Sequence, residues 1–263
     1  MLYIVSTPIG NLGDMTYRAV ETLKNVSAIL CEDTRVSKKL LDHFGIQNKL
    51  ISYHKYSEME KLDEILSRLS GGEDIAIISD AGTPLISDPG NILVSACRDA
   101  GIEVTAIPGC CAVINGLVLS GFDLSSFTFC GFLPKQKRSA HIEKFKNLQG
   151  TLVFYVTKNS VSDDVNEIYK VLGDRRAFLV REMTKMFEEG ISFNLSEKLP
   201  QMKGEMVLVC EGASGDVDLS ELSAGEHLMM YIKSGMDKKE AIKRVAKERG
   251  VPKNEIYMLL SGD

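Results

Sequence analysis

The stretch IAIISDAGTPLISDPG, residues 75–90, decides how this chain is read. Ile75, Ala76, Ile77 and Ile78 form a short, wholly apolar run, the pattern of a strand buried on both faces of a parallel sheet. A loop of Gly, Pro, Ser and Asp follows at once. In an open parallel sheet, ligands bind just beyond the carboxyl ends of the strands, which makes residues 79–90 a candidate ligand loop. Gly82 lets backbone approach a ligand closely, and Thr83-Pro84 fixes the turn that follows. Asp88 and Pro89 suit an N-cap and a first helical position, so the spacing predicts a helix over about 91–100. An ordinary strand-to-helix turn is the plain alternative.

Working outward, the same arrangement recurs. Leu2–Val5 reads as a strand followed by STPIGNLGD, and Ala28–Cys31 as one followed by Glu32-Asp33-Thr34-Arg35. Val104–Ile107 leads into IPGCCA, where small side chains and the exposed amides of a helix start make room for a ligand. Tyr17 to Leu23 is helical by spacing, with Tyr17, Val20 and Leu23 on one face. Met59, Leu62, Ile65, Leu66 and Leu69 repeat at helical spacing over 58–69. Alternation of this kind implies a mostly parallel sheet covered by helices. The second half repeats the theme, with strands at Thr128–Cys130, Leu152–Val156, Phe178–Val180 and Met206–Cys210 and helices over 139–148 and 161–172. Residues 211–226 are small and acidic and read as a linker. Beyond them Lys238–Arg249 is a helix with Ala241, Ile242, Val245 and Ala246 inward. Gly250-Val251-Pro252 turns the chain into a last helix bearing Ile256, Tyr257, Leu259 and Leu260, a helix-turn-helix-like pattern.

With 263 residues, 44% hydrophobic and 25% charged, the composition is that of a soluble globular protein. A net charge of −5 argues against bulk coating of nucleic acid but leaves room for local basic patches. Two are present: Lys135, Lys137, Arg138, Lys144 and Lys146, and the tail stripe of Lys238, Lys239, Lys243, Arg244 and Lys247. Each could neutralise RNA phosphates, or be a solvated helix face. The N-terminus carries no cationic leader and no apolar run approaches a membrane span of about 18 residues, so a cytoplasmic location is expected. The six cysteines lack the spacings of a zinc site or disulfide framework, and adjacent Cys110 and Cys111 have poor geometry for a disulfide. Glu32 and Asp33 beside Arg35 could activate a hydroxyl or hold the arginine for a phosphate; a helix cap is the alternative. His54 could be a base, a stacking group or a surface histidine.

Taken in order, LYIVSTPIGNLGDMTYRAVETL, EDTR with LLDHFGI, SDAGTPLISDPG, IPGCCA, GFLPK, REMTK and GEMVLV resemble the tetrapyrrole-methylase-like (class III) methyltransferase family over nearly the whole chain, within it a branch that acts on ribosomal RNA. The resemblance implies an α/β protein of two α/β/α domains, residues 1–112 and 113–212, with S-adenosylmethionine in the cleft between them. Residues 213–263 would form an acidic linker and a helical, RNA-facing domain, and the chain would be a homodimer. Implied cofactor contacts are Gly82, Thr83, Pro84 and Ile86 on one side, Pro108, Gly109, Cys111 and Ala112 on another, and Thr157 and Met206 from the second domain. The implied reaction is 2′-O-methylation of a cytidine ribose in 16S rRNA of the small ribosomal subunit. Asp33 and then Glu32 are the candidate bases, and Arg35, Lys135, Lys137, Arg138, Lys239, Lys243, Arg244 and Lys247 the RNA contacts. Methyl transfer requires no Lewis acid, so no metal is expected. One segment departs: relatives read Phe-Tyr-Glu-Ser-x-His-Arg where this chain has Phe154-Tyr155-Val156-Thr157-Lys158-Asn159-Ser160, with Lys158 restoring some positive charge. A small-molecule (tetrapyrrole-type) methyltransferase and an RNA- or ribosome-binding relative without catalysis remain the alternatives.

Overall fold

Short apolar runs build the first sheet of the computed structural model, which describes residues 1–200, 202, 204–214, 222–233 and 236–259. Strands β1 (Leu2–Val5), β2 (Ala28–Cys31), β3 (Leu50–Ser52), β4 (Ile75–Ile77) and β5 (Val104–Ile107) lie in the order β3-β2-β4-β1-β5, every pair parallel. Helices α1 (Tyr17–Asn25), α2 (Thr34–His43), α3 (Glu58–Ser70) and α4 (Asn91–Asp99) connect them. Because successive side chains point to opposite faces, each strand feeds two cores. Val5, Ile29, Cys31 and Ala76 pack with Ala19 and Leu23 of α1 and Leu41 of α2. Leu2, Leu30, Ile75 and Ile77 pack with Ile65 and Leu69 of α3 and Leu93 and Cys97 of α4. Each such fully buried Leu or Ile contributes about 1.5–3 kcal/mol relative to exposure.

Three expectations are corrected here. Tyr17 is 97% exposed, and Ala19 and Leu23 make the buried face of α1. Met59 is 69% exposed, so α3 packs through Ile65 and Leu69. The N-cap of α4 is Gly90 rather than Asp88. Gly90 has φ +127, and a Cβ there would lie 2.9 Å from Ile77 Cδ1. Its N–H donates to the buried Glu58 carboxylate at 2.7 Å, a helix-end donor satisfied from another helix.

The second sheet has the order β6-β7-β10-β8-β9, formed by β6 (Phe127–Phe132), β7 (Thr151–Thr157), β8 (Arg176–Arg181), β9 (Glu189–Asn194) and β10 (Glu205–Cys210). Only β6 and β7 run parallel; the other pairs are antiparallel. The parallel expectation therefore fails for this sheet, since β8 and β9 are joined by a short loop, and parallel neighbours need a long crossover. Apolar α5 (Ala112–Ser120) leaves the first sheet and buries Val113 and Leu117 against Val153, Val180, Val207 and Val209. On the other face α6 (Arg138–Ile142), a 3-10 turn (Glu143–Phe145) and α7 (Val161–Leu172) cover Leu152, Phe154, Leu179 and Leu208. The helix expected over 139–148 is thus α6 and the turn.

Residues 1–212 form one compact unit and 213–263 another. In the second, α8 (Ala224–Lys233), α9 (Lys238–Arg249) and α10 (Lys253–Met258) enclose Leu228, Ala241, Ile242, Val245, Ala246 and Ile256. Part of the expected linker is helical: Ser223 and Glu226 cap each other at the start of α8, a capping box. Residues 215–221 of that linker, and Leu260, lie outside the described residues. Among the described residues no helix is long and apolar enough to cross a membrane.

Candidate active site

The loops after β1, β4 and β5 are tied together where these three neighbouring strands end. Thr7 N–H donates to Gly82 O at 2.8 Å and Gly82 N–H returns to Thr7 O at 3.1 Å. Thr7 Oγ1 donates to Ser79 O at 3.1 Å. Thr83 Oγ1 lies 3.1 Å from Ser6 Oγ and donates to Cys110 O at 2.8 Å. Gly82 has φ +84, and a Cβ there would meet Ile9 Cγ2 at 3.1 Å. Further along the loop the backbone is strained: Leu85 and Ser87, neither a glycine, hold φ of +74 and +73. Such left-handed residues cost about 1–3 kcal/mol each and persist only where their surroundings fix them.

These tied loops face the second sheet across a cleft of about 870 Å³. Its first wall carries Ile9, Asp80, Ala81, Ile86, Ser87, Asp88 and Ala112, the first residue of α5. Opposite stand Phe132 from β6, Tyr155 to Asn159 from β7 and beyond, Met183 after β8, and Gly204 to Val207 leading into β10. Tyr155 packs edge-on against Phe129 at 5.0 Å and tilts against Phe132 at 5.1 Å. Apolar walls with a few polar groups are the ordinary make-up of a small-molecule site.

Carboxylates set the electrostatics of the first wall. Burial in the cleft raises the Asp88 carboxyl to about 6, helped by the neighbouring charges of Glu32 and Asp80. Asp80 is also raised by burial, although its Oδ1 accepts the Asp33 N–H at 3.3 Å. Asp33 behaves oppositely. It caps α2 and grips Arg35 through both oxygens, at 3.1 and 2.8 Å, and those bonds hold its carboxyl well below the usual carboxylate range. Burial, and the nearby charges of Cys111 and Asp88, push the Tyr155 hydroxyl upward.

Of the residues singled out in the sequence, Ile86, Ala112, Thr157 and Met206 line the cleft. Gly82, Thr83, Pro84, Pro108, Gly109 and Cys111 are not among the lining residues; Gly82, Thr83 and Cys110 carry the bonds that fix the loops. Asp33, the first candidate base, accepts three bonds from Arg35, two on Oδ1 (one of them the N–H at the start of α2) and one on Oδ2. Glu32 is exposed at the same edge. Arg35, 87% exposed at its side chain, is bound to Asp33. Lys135 and Lys137 are exposed and form no ion pair among the described residues, whereas Arg138 turns inward to buried Asp164 at 3.3 Å and to Pro134 O. On α9 the residues Lys239, Lys243 and Lys247 are exposed, but Arg244 pairs with Glu248 at 3.0 Å and covers the Tyr231 ring. Among the cleft residues that sequence reasoning missed are Asp88, Asp80, Tyr155 and Phe132. Asp88 imitated a helix cap, and the other three sit in quoted motifs without a distinguishing pattern. No group of three His, Cys, Asp or Glu is placed to hold a metal ion among the described residues.

Residues 1–199 match the family of tetrapyrrole (corrin/porphyrin) methylases. The chain is 42% identical over 268 residues to the ribosomal RNA small subunit methyltransferase I of Halalkalibacterium halodurans, covering 97% of this chain and 93% of that protein. It is 42% identical over 270 residues to the protein of that name from Bacillus subtilis, covering 98% and 92%. Among solved structures, diphthine synthase superposes with a TM-score of 0.65 at 12% identity, covering 81% of this chain and 91% of that one. The methyltransferase CobJ superposes with a TM-score of 0.60 at 17% identity, covering 81% and 94%. The two structures share the fold. The chain belongs to the tetrapyrrole methylase family.

Proposed function

We propose that this member of the tetrapyrrole methylase family moves a methyl group from S-adenosylmethionine to the 2′-hydroxyl of a cytidine ribose in 16S rRNA of the small ribosomal subunit. The observation that carries the reading is the cleft itself: a half-buried, cation-seeking carboxylate, Asp88, on a strained loop facing apolar residues of a second sheet. The relatives named for small-subunit rRNA, matched over nearly their full length, supply the substrate. The donor brings an electrophilic methyl on a sulfonium, and the cleft fits it. Asp88 forms no ion pair among the described residues and favours a cation, Ala112 leaves room, and Ile86, Val156, Met206 and Val207 offer apolar contact.

The protein's own work is alignment and exclusion of water. Gly82, Thr83, Pro84, Pro108, Gly109 and Cys111 hold the strand-end loops in register so that Ile86, Asp88 and Ala112 face the donor, while Thr157 and Met206 close the opposite side. Asp80 lines the cleft with one oxygen uncommitted among the described residues and accepts the hydroxyl proton; a raised carboxyl is a better proton acceptor near neutral pH. Asp33 keeps Arg35 at the same edge for a phosphate, with Glu32 beside it. Lys135, Lys137, Lys239, Lys243 and Lys247 contact the RNA backbone. Exposed Ile114, Val118 and Leu119 on α5, with Leu124 and Phe127 beyond it, form apolar surface suited to a homodimer. The protein works in the cytoplasm, where the small subunit is assembled.

The test is transfer of labelled methyl from S-adenosylmethionine to purified small subunits, followed by nuclease mapping and mass spectrometry of the labelled nucleotide. Label on a 2′-O-methylcytidine is the expected result. Label on a base, or in a small-molecule acceptor only, overturns the reading.

A further inference from the structure

Strand β6 breaks its own pattern at the cleft. Phe129 pairs with Val153, and then Gly131, at φ +69, pairs with Phe154, so Cys130 is the extra residue of a bulge. The alternation shows what the bulge does. Cys130 lies in the core with Leu152, Phe154 and Val156, whereas Phe129 and Tyr155 belong to the other face. In an unbroken strand Phe132, two residues after Cys130, would share that core. A one-residue shift moves every later side chain to the opposite face, and Phe132 instead pairs with Tyr155 and lines the cleft. Bulges of this kind re-aim side chains next to functional sites. The outcome is a phenyl ring 52% exposed at the cleft wall, braced against Tyr155 at 5.1 Å, which is itself braced by Phe129.

The chain just past this ring is basic and anchored. Leu133-Pro134 leads to Lys135 and Lys137, both exposed. Arg138 fixes the turn by donating to Pro134 O at 3.3 Å and pairing with Asp164. An open aromatic face inside the cleft, followed within five residues by two cations outside it, matches one ligand chemistry: a flat base joined to phosphates. Unstacked bases are held on aromatic side chains in this way, with cations along the backbone.

We infer that Phe132 is the stacking platform for the base of the nucleotide being methylated, and that Lys135 and Lys137 hold its flanking phosphates. This rests on the RNA reading above and names the residues that present the ribose to Asp80.

Four variants test it: Phe132→Ala, Phe132→Trp, Phe132→Leu and the double variant Lys135→Gln/Lys137→Gln, each checked by thermal melting for an intact fold. Donor affinity is read by calorimetry, and KM and kcat by labelled transfer to small subunits. Binding of a fluorescent single-stranded oligonucleotide is read independently. Phe132→Ala should raise KM for the subunit and weaken oligonucleotide binding about 5- to 150-fold, the loss expected of one base stack, with donor affinity within about twofold. Phe132→Trp should restore both, and Phe132→Leu should not. The lysine double variant should flatten the log–log salt dependence of oligonucleotide binding by about 1.4, or about 0.7 per single-strand phosphate contact. Phe132→Ala that weakens the donor but not the RNA would assign the ring to the donor and sink the inference. Leucine performing as well as phenylalanine would do the same, as would alanine with no effect. If the wild-type protein labels no RNA, the functional reading fails by itself, and the oligonucleotide comparison still decides the platform.

Discussion

Replacing Asp88 by Asn keeps the size of the side chain and removes its charge, so it isolates what the carboxylate contributes to donor binding. A charge-assisted contact is worth about 1.5–3 kcal/mol, so Asp88→Asn should weaken S-adenosylmethionine binding about 10- to 150-fold. The pH dependence gives a second, independent magnitude. Burial first, then Glu32 and Asp80, hold the Asp88 carboxyl at about 6, above the ordinary carboxylate range. The ionised form is therefore disfavoured in the free fold. The resulting penalty is full above pH 6 and is relieved as pH falls through 6. A bound cation reverses the preference and expels the proton. Donor affinity is then full above pH 6 and declines below it, reaching about a tenfold loss at pH 5 relative to pH 7.5 by one-proton linkage. Calorimetry across pH 5–7.5 reads both quantities, with thermal melting to confirm that the variant folds. In Asp88→Asn the affinity should be uniformly low and flat across this range, which separates Asp88 from any other group titrating there. A variant that binds as tightly as wild type, or a wild-type affinity that is flat from 7.5 to 5, refutes the reasoning.

Asp80→Asn should lower kcat for the ribosomal substrate about 10²–10⁴-fold, the usual contribution of a general base, with donor affinity near wild type; an unchanged kcat would leave the proton to water. Gly82→Val puts a branched side chain at φ +84 with its Cβ 3.1 Å from Ile9 Cγ2, so melting should fall by the equivalent of about 1–3 kcal/mol and donor affinity with it. Neutralising Lys239, Lys243 and Lys247 to Gln should reduce the salt slope of RNA binding by about 2–3. Deleting 213–263 should abolish methylation of small subunits while calorimetry still finds the donor site in the remaining unit; a truncated protein working at full rate removes the tail from RNA recognition.

The sequence made most of the first sheet legible because its strands are largely apolar runs closed by turn residues: Leu2–Val5, Ala28–Cys31 and Val104–Ile107 coincide with β1, β2 and β5, whereas β3, only three residues long, was not read as a strand. Helix α7 was equally plain from its apolar spacing. Strand β9 was not, since Phe193 is its one buried residue and a lone inward side chain leaves no period to see. The direction of neighbouring strands in the second sheet was also hidden, because hydrophobic periodicity reports burial and carries nothing about chain direction. Asp33 illustrates a choice that local pattern leaves open. The residues allowed a base, a holder of the arginine or a helix cap, and Asp33 both caps α2 and grips Arg35. Asp88 illustrates a long-range effect. Ser87-Asp88-Pro89-Gly90 has the residue types of a helix start, but Glu58 takes the Gly90 N–H from 32 positions away. Left-handed Leu85 and Ser87 then flank cleft-lining Ile86.

That arrangement divides the 79–90 loop into parts that hold and parts that touch. Left-handed conformations at Leu85 and Ser87 cost about 1–3 kcal/mol each, so bonds elsewhere in the loop must keep them. The paired Thr7–Gly82 backbone bonds and the Thr83–Cys110 bond are the ones in position to do so. One neutral hydrogen bond contributes about 0.5–1.5 kcal/mol, less than the strain it helps to hold. A single change among Thr7, Gly82 and Thr83 therefore loosens the loop and reaches the cleft only through Ile86 and Asp88, lowering stability and affinity together. A change at Asp88 alone removes a charge from a loop that stays in place, lowering affinity while leaving stability nearly untouched or slightly raised. Residues at the heart of the motif can thus be indispensable to donor binding without lining the cleft, because the glycine, proline and threonine set the backbone on which the contacting residues stand.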